Sequence, residues 1–121
     1  GVYELTVEDS FAAAHKLPAH NGKCKFLHGH TFRVRVTICG KELDEEQGFL
    51  IDFGVIKGEL KKLLDTFDHQ FLNDLPLFKD VPPTSEAIAR IVFEELLDRL
   101  PGLSSVTVFE SERAWATYRQ D

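Results

Sequence analysis

The sequence predicts an α+β fold of order ββααββ, a four-stranded antiparallel sheet with two helices on one face. Three observations carry this. Two long stretches near the start alternate apolar and polar residues at period two. Two stretches with apolar residues at helical spacing follow, and two short alternating segments close the chain. Runs of strands and helices that do not alternate one for one point to α+β packing.

The first strand spans Tyr3 to His15. Tyr3, Leu5, Val7, Phe11, Ala13 and His15 share one parity, interrupted by Asp9, where a bulge is expected. Leu17-Pro18 ends it, and Ala19 to Lys25 forms a loop holding the turn signal Asn21-Gly22. The second strand spans Leu27 to Cys39, with His28, His30, Phe32, Val34, Val36 and Ile38 on one parity. Cys39 falls on the other and is expected as a packed thiol. Gly40 to Gln47 is an acidic loop. Asp52 then caps a helix that runs to about Asp68, with Phe53, Ile56, Leu60, Leu63, Leu64 and Phe67 along one face.

After Pro82-Pro83, Thr84 or Ser85 caps a second helix, from about Glu86 to Leu100. Val106 to Phe109 forms a strand, Ser111 to Arg113 a turn and Ala114 to Arg119 the return strand. A sheet of four strands leaves edges to cover, so association edge to edge is expected.

The 121 residues suit one domain, 1–121. Hydrophobic content of 43% with 28% charged residues fits a globular chain. A net charge of −6 argues against non-specific nucleic-acid binding. No apolar run is long enough to span a bilayer, and the start carries no export signal, so no membrane partner is expected. The missing initiator Met reads as processing or as an artificial cut of the chain. Two cysteines make no disulfide framework, so the cytoplasm is the expected compartment. Lys16, Lys23, Lys25, Arg33 and Arg35 make the first third locally basic, which would attract a phosphorylated small molecule.

The stretch Cys24-Lys-Phe-Leu-His28-Gly-His30 carries the chemistry. His28 and His30, two apart on a strand, project from one face. His15 shares the apolar parity of its own strand. If the two strands pair as antiparallel neighbours, three imidazoles converge at one end of the sheet. Three His with an open fourth position is the pattern of a catalytic zinc site. Cys24 would add a thiol near the metal. Asp68-His69 pairs a carboxylate with an imidazole in sequence, which suits proton transfer if the side chains meet. Glu110, alone, is a strand-end carboxylate.

In this order, Phe11-Ala12-Ala13-Ala14-His15, Cys24-x3-His28-Gly29-His30, Asp68-His69 with Leu72-Asn73, Pro83-Thr84-Ser85-Glu86 and Glu110 before the last turn resemble the 6-pyruvoyltetrahydropterin synthase superfamily. The spacing from Cys24 to His28 resembles its 6-carboxy-5,6,7,8-tetrahydropterin synthase branch, of queuosine and 7-deazaguanine biosynthesis. The tail Ser111 to Ala116 departs from that branch.

The resemblance implies a tunnelling fold, with trimers stacked into a homohexamer and active sites at subunit interfaces. It implies His15, His28 and His30 as Zn2+ ligands and Cys24 as the catalytic thiol. Asp68 and His69 would be a proton relay contributed by a neighbouring subunit. Glu110 would anchor the pterin, with Thr84, Ser85 and Glu86 near its pocket. The implied reaction converts 7,8-dihydroneopterin triphosphate to 6-carboxytetrahydropterin, acetaldehyde and triphosphate. Lys16, Lys23, Lys25 and His20 are candidates to hold the triphosphate. Two alternatives stand beside it: 6-pyruvoyltetrahydropterin synthesis, which eliminates triphosphate without carbon–carbon cleavage, and a non-catalytic pterin- or metal-binding module. Mere binding would need none of Cys24, Asp68 and His69.

Overall fold

The computed structural model describes residues 1–17 and 28–120, with His28 placed by its strand position alone. Four strands form one antiparallel sheet in the order β1-β2-β3-β4: β1 Tyr3–His15, β2 His28–Gly40, β3 Leu103–Phe109 and β4 Trp115–Tyr118. Helix α1 spans Phe53–Leu64 and α2 spans Ser85–Leu96. The expected ββααββ order therefore holds.

Alternation in the strands decides which face the helices cover. Val7, Phe11, Phe32, Val34, Val36, Ile38, Val106 and Val108 bury their side chains in a single core with Ile56 and Leu60 of α1 and Ile88, Val92 and Leu96 of α2. The aromatic part of that core lies nearest the histidines. Phe11 stacks on Phe32 at 5.1 Å and meets Phe67 edge-on at 5.4 Å. The other sheet face is polar. Thr6 bonds Thr37 at 3.0 Å, Thr107 bonds Thr117 at 2.7 Å, and Arg33 and Arg35 pair with Glu8. Both guanidinium groups also lie over the ring of Phe109, at 4.2 and 4.7 Å, which covers an apolar side chain on that face.

Both helix starts follow the capping rule. Asp52 accepts from Gly54 N–H at 2.8 Å, and Thr84 accepts from Ala87 N–H at 3.0 Å. Gly102 turns the chain into β3 at φ 83°. A Cβ there would sit 2.6 Å from the Cys39 carbonyl oxygen, so only glycine fits.

Several boundaries differ from expectation. No bulge forms at Asp9. The β1–β2 register runs unbroken from Tyr3↔Gly40 to His15↔His28, and the irregularity falls instead between Thr37 and Ile38 against β3. Asp9 tolerates the core-side parity because its position is only half-buried, and its carboxylate accepts from Ser10 N–H. Helix α1 ends at Leu64, and turns carry the chain on to Asp68. Helix α2 ends at Leu96, not Leu100. Leu100 still reaches the core, because its N–H closes a turn onto the Leu96 carbonyl. Two single-turn 3-10 helices, Leu72–Asp74 and Pro76–Phe78, join the α helices and were not anticipated. Cys39 is half-buried, and its thiol bonds Ser104 at 3.2 Å and Glu4 at 3.4 Å.

Candidate metal and pterin site

Because β1 and β2 pair antiparallel, the C-terminal end of one lies beside the N-terminal end of the other. His15 sits opposite His28 in register, and Ala13 opposite His30. Cross-strand partners share a face, so the parity read from sequence becomes proximity. The rings of His15 and His30 lie 4.9 Å apart and rest on Phe32, which meets them edge-on at 5.4 and 4.3 Å.

His15 is fully buried, and its Nδ1 lies 2.7 Å from the Pro83 carbonyl oxygen. A carbonyl can only accept, so Nδ1 carries the proton and Nε2 offers a lone pair. This is how a metal-ligating imidazole is held. Glu110 enters from the end of β3 and continues the parity of Val106 and Val108. Its Oε1 lies 3.7 Å from Nε2 of both His15 and His30. Ligand atoms of His15, His30 and Glu110 all fall within 4.8 Å of one another. At zinc–ligand bonds near 2.1 Å, donors in a tetrahedral centre stand about 3.4 Å apart. Two imidazoles and a carboxylate so spaced, one tautomer fixed, fit a zinc-like divalent ion.

A cavity of about 240 Å³ adjoins Glu110, lined among the described residues by Ser85, Glu86, Glu110, Ala114, Trp115 and Ala116. Thr84 is committed to capping α2, whereas Ser85 is buried and its hydroxyl has no partner among the described residues. Glu86 is exposed in the first turn of α2.

Asp68 and His69 do meet. His69 Nδ1 lies 2.8 Å from Asp68 Oδ2, so that nitrogen donates and Nε2 is left to accept. The other carboxylate oxygen, Oδ1, accepts from Ala12 N–H at 2.8 Å. This backbone bond, and then the imidazole, hold the Asp68 carboxyl below its ordinary value. His69 and His30 line one cleft of about 520 Å³ beside Ala12 to Ala14. Cys24, His20, Lys23 and Lys25 lie outside the described residues. Lys16 is exposed at the end of β1.

Sequence reasoning missed two features. One is the Pro83 carbonyl that orients His15, for which a backbone acceptor 68 residues away leaves no signal. The other is the lining role of Trp115, which strand parity alone does not reveal.

A sequence model described as 6-pyruvoyl tetrahydropterin synthase matches residues 4–121. The chain belongs to the 6-pyruvoyl tetrahydropterin synthase family. The sheet with its two helices is the tunnelling fold of that family. A 6-carboxy-5,6,7,8-tetrahydropterin synthase of Synechocystis sp. is 45% identical over 92% of this chain and 88% of its own length. One from Bacillus subtilis is 33% identical over 97% of this chain and 85% of its own. In structure, the chain is similar to the 6-pyruvoyl tetrahydropterin synthase of Caenorhabditis elegans, with a TM-score of 0.90 and 31% identity. That alignment covers 100% of this chain and 97% of the other.

Proposed function

We propose that this family member converts 7,8-dihydroneopterin triphosphate and water to 6-carboxy-5,6,7,8-tetrahydropterin, acetaldehyde and triphosphate, as a lyase of queuosine-type pterin biosynthesis. The observation that carries the reading is the convergence of His15, His30 and Glu110 at one end of the sheet, beside a cavity and the Asp68–His69 pair. The relatives named for the carboxy product lend it their weight.

In this reading His15, His28 and His30 hold Zn2+, which supplies Lewis acidity toward the hydroxyls of the substrate side chain. Glu110, with a carboxylate facing the cavity, accepts the ring N–H and exocyclic amino group along one edge of the pterin. Ser85 and Glu86 flank that edge, and Thr84 contributes by starting α2. His69 accepts a proton at Nε2, and Asp68 steadies the resulting imidazolium. Cys24 is the second proton-transfer group. The cytoplasm is the compartment of this reading. The functional unit is a homohexamer of two stacked trimers, each trimer closing into a barrel edge to edge through β4 and the open part of β1, the outer strands of the sheet.

A second reading is favoured by the likeness to the Caenorhabditis elegans protein, named for the pyruvoyl product. One assay separates the two. Zinc-loaded protein is incubated with 7,8-dihydroneopterin triphosphate, and pterins and acetaldehyde are measured together. Carboxytetrahydropterin with matching acetaldehyde is expected. Pyruvoyltetrahydropterin without acetaldehyde would replace the first reading with the second, and full metal without turnover would overturn both.

A further inference from the structure

The edge of β1 nearest the histidines is not open. Residues 68–73 run beside it, bridged in parallel at Ala14 and Phe71. At one end Ala12 is held by both backbone groups. Its N–H donates to Asp68 Oδ1, and its carbonyl accepts from His69 N–H at 2.5 Å. In the middle Ala14 N–H donates to the Gln70 carbonyl at 3.0 Å. At the far end a side chain completes the ladder. Asn73 Oδ1 accepts from Lys16 N–H at 2.9 Å, and Asn73 Nδ2 donates to the Lys16 carbonyl at 2.8 Å. One carboxamide thus satisfies donor and acceptor of one residue, as a neighbouring strand would. At the Ala12 end His69 is held at φ 59°, in the left-handed region that a residue with a side chain seldom adopts.

We infer that Asn73 is a positioning residue. By clamping Lys16, the residue directly after His15, it fixes the register of the 68–73 segment on β1 and so the place of His69 on the sheet edge, from which the proposed oligomer would offer it to a neighbouring subunit's site. Among the described residues Asn73 bonds no imidazole, and its influence passes through the two backbones. A ladder of so few bonds is easily shifted if one end is released. A displacement of about 1 Å in a proton-transfer group can cost about a hundredfold in rate. The inference rests on the proposed roles of His15, His30 and His69.

The test compares Asn73→Ala and Asn73→Asp in the full, zinc-loaded chain. Asn73→Asp keeps an acceptor for Lys16 N–H but sets a carboxylate oxygen against the Lys16 carbonyl. Both variants are expected to lower kcat about tenfold to a hundredfold with KM unchanged, and to speed amide exchange at His69 and Ala14. Ser104→Ala is the control, since it removes a similar bond, Ser104 Oγ to the Thr37 carbonyl at 3.0 Å, at the other end of the sheet. It should leave kcat at the parent value even if Tm falls. Parental kcat in Asn73→Ala, or unchanged exchange at His69, would overturn the inference. If the parent itself fails to turn over the pterin triphosphate, the functional proposal fails, while exchange at His69 in Asn73→Ala still decides whether Asn73 sets its position.

Discussion

Replacing Asp68 tests how one carboxylate serves two purposes. Its Oδ1 accepts from Ala12 N–H and its Oδ2 from His69 Nδ1, each at 2.8 Å. Asp68→Asn can keep the first bond, because a carboxamide oxygen still accepts. The second reverses. An NH2 group now faces Nδ1, which must become the acceptor, so the proton moves to Nε2. His69 then presents a donor where the proposed reaction needs a base. Loss of a positioned general base costs about 10²–10⁴-fold, and kcat should fall within that range while zinc content stays unchanged. Asp68→Ala loses both bonds, so it should lose as much activity and also lower Tm.

The pH dependence of stability gives a second readout. The folded-state pKa of Asp68 lies below the ordinary 3.8, first because of Ala12 N–H and then because of His69. A lowered pKa means the stabilisation is fully present above the unfolded value and is lost as pH falls through the folded one. The Tm advantage of the parent over Asp68→Asn should therefore shrink as pH drops below 3.8. Steady-state kinetics and thermal melts across pH decide it. Parental kcat in Asp68→Asn would refute the assigned role of the pair.

Two further outcomes follow from the packing and the charge of the site. Phe32→Ala removes a fully buried ring that supports both His15 and His30. It should cost about 3–5 kcal/mol by denaturant melts and weaken zinc binding by isothermal titration as well, since the imidazoles lose their floor. Glu110→Gln should leave zinc content unchanged and lower kcat/KM about tenfold to a hundredfold, as expected for losing a charge-assisted bond to the substrate. A matching loss of zinc would instead make Glu110 a metal ligand, which its 3.7 Å approach to both imidazoles allows.

What the sequence reveals here is what periodicity can encode. His15, His28 and His30 continue apolar parities, and antiparallel pairing then turns shared parity into a shared face, with His15 opposite His28. Glu110 obeys the same rule through Val106 and Val108. Periodicity also misled where burial is graded. Asp9 looked like a break in the strand, yet the half-buried position accepts a carboxylate without a bulge. Leu97 and Leu100 sit at helical spacing, but only Leu100 is buried, and it arrives there by a turn beyond the helix.

The parts that escaped have no period at all. The Pro83 carbonyl that sets the tautomer of His15 is a backbone atom, and any residue at position 83 would have one. The 68–73 ladder joins an irregular segment to a strand through two bonds each to Ala12 and Lys16 and one to Ala14, of which sequence shows only Asp68 and Asn73. These two kinds of feature divide the work of the site. Side-chain parity brings the donor atoms to one end of the sheet, and backbone acceptors decide which nitrogen of His15 carries its proton. A substitution that respects parity can therefore still disable the chemistry by moving a backbone by a fraction of a strand spacing, which is why the segment beside β1 should tolerate change less well than its exposure suggests.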